Sequence, residues 1–272
     1  MLRLLFIALL FVVPTLACEA KIRNRVQFVV VIPSYNNEKW VAQNLESVVN
    51  QTYRNFTVYY INDCSKDNTG ALVDQFVKSW GLEGKFTVVH NGERKGALAN
   101  LYQAIHSTDP RKVVVTIDGD DVLAHRDVLA RLAEVYADKN VWMTYGNFQT
   151  EPREWGSCCA RIPQSVSDKN SYRSYKWVAS HLRTFYARLF HLIQKKDLQL
   201  KGEFFPMTWD MAFMFPMLEM CTKNHFRYIP EILYIYNVMN PINDNRVNAQ
   251  LQRDLDKHIR AMPPYQPIQS LF

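Results

Sequence analysis

From Phe28 onward, short apolar runs alternate with helical periods, and this alternation limits the fold more than any other feature of the chain. FVVVI (28–32), FTVYYI (56–61), FTVVH (86–90), VVVTI (113–117) and VWMTY (141–145) are rich in β-branched and aromatic residues and read as strands. Between them, one apolar stripe holds Trp40, Val41, Leu45, Val48 and Val49. A second holds Leu72, Val73, Phe76, Val77 and Trp80, a third Leu98, Leu101, Tyr102 and Ile105, and a fourth Val128, Leu129, Leu132, Val135 and Tyr136. Strands that alternate with helices need right-handed crossovers. The pattern therefore predicts an α/β domain with a mostly parallel central sheet and helices on both faces. With 272 residues, 48% of them hydrophobic, the chain can bury the core of one such domain, starting near residue 25.

Past residue 150 the pattern loosens. Residues 151–175 read as a long loop. KWVASHLRTFYARLFHLIQKK (176–196) reads as a helix with a stripe at Val178, Leu182, Phe185, Leu189 and Ile193. Residues 201–221 read as a loop entering a helix near Asp210 that Pro216 bends, and 226–238 as a strand pair or one bent strand. The Pro-punctuated stretch 263–267 reads as a loose tail.

Residues 1–20, with Arg3 before an apolar run from Leu4 to Val13, read as a signal peptide or an N-terminal membrane anchor and are set apart from the fold. The expected location is membrane-associated or a secretory lumen. The alternative is the cytoplasmic face of a membrane, favoured for a retained anchor by Lys21, Arg23 and Arg25. The formal charge of +6 suits anionic ligands or an anionic surface. No block of five or six basic residues argues for nucleic acid. The five cysteines form neither a disulfide framework nor a zinc pattern and read as free thiols.

In sheets of this kind, ligands bind beyond the carboxyl ends of the strands. Those ends read PSYNN (33–37), NDCSKDNTG (62–70), NGERKG (91–96) and DGDD (118–121), and none is a glycine-rich phosphate cradle. Asp118 and Asp120, two apart, share one side of an extended segment, with Gly119 easing the backbone between them. Such carboxylates form a hard-cation site suited to Mg²⁺ or Mn²⁺ with positions left for phosphate oxygens, or else a solvated turn.

IPSYN (32–36), YYINDCSKDNT (59–69) and IDGDD (117–121), in this order and at this spacing, make the chain resemble the family 2 glycosyltransferases. These are inverting enzymes of the GT-A fold, a Rossmann-like single domain, and they use nucleotide sugars. The resemblance is tight over residues 26–146. It implies a nucleotide-sugar-binding half at 25–146, an acceptor-side half at 147–262 and a tail at 263–272. It assigns Pro33, Ser34, Tyr35 and Glu38 to the wall holding the base, Asp63 to a hydrogen bond with a base that is usually uracil, and Arg94 to a cation near the nucleotide, with Lys95 as a weaker candidate. Asp118 and Asp120 become the Asp-x-Asp pair that holds the divalent ion on the diphosphate, with Asp121 in support.

The general base falls to Asp210, with Asp168 and Glu203 in reserve. Trp209 stands where many relatives carry Glu, and it offers a ring to stack on a sugar. Asn240, Asn243 and Arg246 would close over the diphosphate. His181 and Arg183 would face the acceptor or lie on a helix surface. The implied function is metal-dependent, inverting transfer from a nucleoside-diphosphate sugar, a UDP-sugar first, to a hydroxyl of a glycan, lipid or protein acceptor. The alternative is a catalytically silent sugar-nucleotide or glycan-binding protein of the same fold.

Overall fold

The computed structural model describes residues 26–154, 156–221, 225–242 and 248–272. The N-terminal segment 1–20, Trp155, Asn243 and Arg246 lie outside the described residues. Strand β1 (Phe28–Ser34) is buried at every position, as a central strand covered on both faces must be. It pairs in parallel with β2 (Phe56–Asn62) on one side and with β4 (Val113–Thr116) on the other. Strand β3 (Phe86–His90) extends the parallel set beyond β2. Helices α1 (Val41–Val49), α2 (Thr69–Ser79) and α3 (Ala97–His106) are the crossovers, and most of the stripe residues read from the sequence are buried in them, whereas Leu72 and Trp80 of the second stripe are exposed.

After β4 come a two-residue strand β5 (Val122–Leu123), helix α4 (Val128–Val135) and strand β6 (Met143–Glu151). With β7 (Arg183–Tyr186) and β10 (Phe226–Asn237), the sheet has eight strands among the described residues, in the order β3-β2-β1-β4-β7-β6-β10-β5. Strand β7 is antiparallel to both β4 and β6, while β10 runs parallel to β6. Strand β10 is one bent strand, with register shifts between Tyr228 and Ile232 and between Ile232 and Tyr234. Two apolar clusters cover the sheet, one on each face.

Three expectations change. The helix expected over 176–196 is absent. Arg183–Tyr186 is a strand, and the range holds just the short helix α6 (Ala187–His191), which follows the short α5 (Gln164–Asp168), and the start of a 3₁₀ turn at Lys195–Leu198. A run buried on all sides carries no periodicity to separate helix from strand, and the gap between β4 and β6 decides for strand. The stretch 151–175 is also less open than expected, since α5 and a single 3₁₀ turn at Tyr172–Ser174 lie within it.

The tail is docked rather than loose. The Tyr265 N–H donates to Glu219 (2.9 Å), its hydroxyl donates to Asp197 (2.6 Å), Ile268 N–H reaches the Met220 carbonyl (3.1 Å), and Leu271 is buried. A short hairpin of β8 (Gln199–Leu200) and β9 (Glu203–Phe204) leads into helix α7 (Trp209–Cys221), which contains Pro216 and is buried along nearly its whole length. Helix α8 (Ala249–Ala261), which precedes the tail, packs against α7. Among the described residues no helix is long and apolar enough to cross a membrane.

Candidate active site

The parallel register aligns the carboxyl ends of β1, β2 and β4, and short backbone bonds carry the alignment into the loops. Asp63 N–H donates to the Ser34 carbonyl (2.8 Å), and Gly119 N–H donates to the Pro33 carbonyl (3.2 Å). Beyond these ends lies a cleft of about 430 Å³. One wall is Pro33, Ser34, Tyr35, Asp63, Arg94 and Asp118–Asp120; the other includes Cys158, Trp177, His181, Arg183, Trp209 and Asp210.

On the first wall, the Arg94 guanidinium lies over the Tyr35 ring at 3.9 Å from its centroid, which makes a flat cation–aromatic surface. Asp63 accepts from Lys95 N–H (2.9 Å), Gly96 N–H (2.8 Å) and the Asn91 side chain (2.8 Å). Burial alone would raise this carboxyl. The hydrogen bonds, from Asn100, Lys95, Asn91 and Gly96, outweigh it and hold Asp63 below the usual carboxylate range. Asp63 thus stays an acceptor and also shapes the 91–96 loop. Lys95 contributes its backbone there, while its side chain is exposed. Glu38 faces elsewhere, accepting from the backbone and side chain of Asn68 (3.0 Å each) at the start of α2.

The DGDD loop is tied down from behind. Asn44 donates to the carbonyls of Asp118 (3.0 Å) and Asp121 (2.7 Å). Gly119 is required for lack of space: a Cβ would run into the side chains of Ser34 and Asn37, and its backbone φ is not in the left-handed region. Asp121 is buried and accepts from the Tyr234 hydroxyl (2.6 Å) and Asn237 N–H (2.7 Å), so it sits behind the wall rather than on it. Asp120 lies on the wall and accepts from the Asn240 side chain (2.7 Å). Burial pushes Asp120 up. It also pushes Asp121 well up, with the neighbouring charges of Asp120 and Asp118 adding to it. A divalent cation would reverse that effect.

Asp118, Asp121 and His181 each bring one ligand atom to within 4.8 Å of the others, and His181 is buried with its Nδ1 atom unpartnered. Two carboxylates and an imidazole, with Asp120 nearby, are a donor set of the kind that holds a divalent metal ion, although both Asp121 oxygens already accept hydrogen bonds. His181 belongs to this corner, stacked on Tyr234 at 4.4 Å, and not to a helix surface.

Across the cleft, Asp210 sits in the first turn of α7, accepting from Met211 N–H (2.9 Å) through Oδ1 and from Arg183 Nη1 (3.2 Å) through Oδ2. Trp209 reaches the cleft, but much of its ring is spent on the Arg183 guanidinium (5.1 Å) and on Phe213 (6.0 Å). The reserve acids are elsewhere. Asp168, which accepts from Gln164, and Glu203 are both exposed outside the cleft. Sequence reading left Asn44 and Cys158 without a role. The available signal was a polar residue inside an apolar helix stripe in the case of Asn44, and none for Cys158.

The model of the glycosyl transferase family 2 matches residues 29–200. The glycosyltransferase GlyG of Streptococcus pneumoniae is 27% identical over 119 residues, 44% of this chain and 38% of that protein. Among solved structures, S. aureus TarS 1-349 in complex with UDP-GlcNAc aligns with a TM-score of 0.58 at 15% identity, covering 79% of this chain and 59% of that one. The mannosyltransferase PcManGT of Pyrobaculum calidifontis, in complex with GDP-Man and Mn2+, aligns with a TM-score of 0.54 at 18% identity, covering 81% and 63%. The chain thus spans less than two thirds of each of these relatives, and the structural likenesses speak for the fold alone. The family model covers well over half of the chain and takes in the strand ends that build the first wall, and on that match the chain belongs to glycosyl transferase family 2.

Proposed function

We propose that this domain moves a sugar from a nucleoside-diphosphate sugar, a UDP-sugar first, to an acceptor hydroxyl with inversion, in a metal-dependent reaction. One observation carries the reading: Asp210 faces Asp118 across a single cleft, with the cation Arg183 between them. A uridine or guanosine diphosphate, as in the sugar nucleotides found with TarS and PcManGT, would lie along the first wall. Tyr35 and Arg94 would take the base, Asp63 would accept its ring N–H, and Asp118 and Asp120, with His181 adjacent, would hold the cation. The cation when bound would neutralise charge on the leaving diphosphate.

The protein's own part is the proton and the geometry. The acceptor O–H gives its proton to the Asp210 carboxylate as its oxygen bonds the anomeric carbon. The bond from that carbon to the diphosphate oxygen breaks, and its electron pair leaves with the diphosphate. The aromatic residues Trp177, Phe148 and Tyr236 on the acceptor side suit the apolar face of a sugar in the acceptor. Attachment through residues 1–20 would place the domain at a membrane or in a secretory lumen, which fractionation of the full chain against one beginning at residue 21 would test.

Calorimetry with UDP, GDP and dTDP, in Mn²⁺, Mg²⁺ or chelator, tests the donor site. One nucleotide is expected to bind only with metal and to lose that binding in Asp120→Ala. Asp210→Asn is expected to keep donor binding and to lower transfer by about 10²–10⁴-fold. A folded protein that binds none of these nucleotides would overturn the reading.

A further inference from the structure

We propose that Arg183 is a positioning residue for the general base: its guanidinium clamps the Asp210 carboxylate and fixes it relative to Asp118. The inference rests on the reading of Asp210 as that base. Arg183 opens β7, the antiparallel strand inserted between β4 and β6, and its backbone pairs with Thr116 of β4 while the next residue, Thr184, is the first to pair with β6 as well. Its side chain is only 2% exposed. The fork is spread over three groups: Nε approaches Thr116 Oγ1 (3.5 Å), Nη1 donates to Asp210 Oδ2 (3.2 Å), and Nη2 lies 3.8 Å from Asp118 Oδ2. The Trp209 ring closes over the guanidinium at 5.1 Å.

Burying a guanidinium strips it of its hydration, a loss that only good pairing offsets. A second buried pair in the same protein shows what full pairing looks like. Arg173 reaches both oxygens of Glu219 (2.6 and 3.0 Å) and the Ile259 carbonyl (2.6 Å), with the acid wholly buried. Arg183 differs on both counts. Its Nη2 is buried without a hydrogen-bond partner, and both of its acids are partly exposed on the cleft wall, Asp118 at 25% and Asp210 at 21%. A clamp built for stability would not leave its acids open to the cleft and one of its own nitrogens unpaired.

The consequence for Asp210 is orientation. One oxygen is held by Arg183 and the other by Met211 N–H, so the carboxylate plane is fixed while its remaining lone pairs stay available to an acceptor hydroxyl. Lysine carries the charge but cannot span both acids with a planar fork.

The test uses the full chain with Arg183→Lys, Arg183→Ala, Asp210→Asn and the double Arg183→Lys/Asp210→Asn, each checked for folding by circular dichroism. In Arg183→Lys, UDP binding with Mn²⁺ is expected to stay within a few-fold of the parent while kcat falls about 10²-fold, the loss a misplaced group causes. Millimolar guanidinium is expected to restore part of kcat in Arg183→Ala. The double variant is expected to be no slower than Asp210→Asn alone, because Arg183 acts through that carboxylate.

Parent-like kcat in folded Arg183→Lys would overturn the proposal. So would losses that multiply in the double variant. If Arg183→Ala fails to fold, the lysine pair still decides. A parent protein that binds donor but transfers no sugar would instead sink the function proposed for Asp210, a different failure from a working parent with an indifferent Arg183.

Discussion

Cys158 sits exposed on the cleft wall that carries Asp210, next to Cys159 in sequence and within the field of Asp210 and Arg183. A hydrogen bond from the Cys159 thiol lowers the Cys158 thiol to about 7, with Arg183 adding to the shift and burial and Asp210 opposing it. Cys159 moves up in consequence, and burial pushes Cys221 well up. The thiolate is the nucleophile, so alkylation should follow ionisation. Iodoacetamide is expected to modify Cys158 well before Cys221, at a rate that climbs with pH to about 7 and flattens above it. Because the thiol lines the cleft, the labelled protein should lose transfer, and Cys158→Ser should resist the inactivation. Mass spectrometry of tryptic peptides over a pH series reads this directly, and equal labelling of Cys158 and Cys221 would contradict it.

At the scale of elements, the DGDD loop depends on a fit that only glycine allows. In Gly119→Ala the new methyl would meet the Ser34 hydroxyl, which also accepts from Tyr60 (2.8 Å) and Asn37 (3.0 Å), so the collision falls on a buried network. Overpacking of this kind costs about 1–3 kcal/mol. The expected result is a lower melting temperature together with UDP affinity reduced about tenfold or more, since the loop carrying Asp118 and Asp120 must move. Unchanged affinity would show that the loop shifts without consequence.

The same loop shows what a sequence makes legible. Strands β1, β2 and β4 and helices α1–α3 were readable because each is local: a β-branched run, an apolar stripe, a polar end. Asp63, Asp118 and Asp210 could be found because they follow such elements or sit in a recognisable motif. Arg183 was legible only as a residue facing the acceptor or lying on a helix surface; its place between Asp118 and Asp210 was not, since β7 is a strand only because β4 and β6 leave a gap for it, and that gap is created by residues dozens of positions away. The docked tail was illegible for the same reason. Its proline-rich sequence has no period, and its partners Glu219 and Asp197 are distant in sequence.

Over the whole molecule, a buried ion pair, Arg173–Glu219, fastens the helix that carries Asp210 to its neighbours. Arg173, in the 3₁₀ turn after α5, joins Glu219 of α7 to the Ile259 carbonyl of α8. Tyr265 N–H adds a donor to Glu219, and Arg260 of α8 returns to the carbonyls of Arg173 (2.8 Å) and Tyr175 (2.7 Å). Helix α8 and the tail are thus fastened to the helix whose first turn carries Asp210. Glu219 lies nine residues further along α7, about 13 Å away. Arg173→Met would strand the Glu219 carboxylate with the Tyr265 amide as its remaining donor among those described.

Breaking a buried pair from one side costs about 3–5 kcal/mol. In a domain of this size that lowers the melting temperature by roughly 10 °C. At 25 °C the folded fraction should still transfer sugar at near the parent rate, because the break is distant from the cleft. Arg173→Met/Glu219→Leu removes the stranded charge as well and should recover much of the lost stability, as replacing both partners of a buried pair by apolar groups often does. Thermal unfolding of the single and double variants decides the matter. A double variant no more stable than the single would mean that the lost bonds to Ile259 and to the α7–α8 seam, and not the unpaired acid, carry the cost.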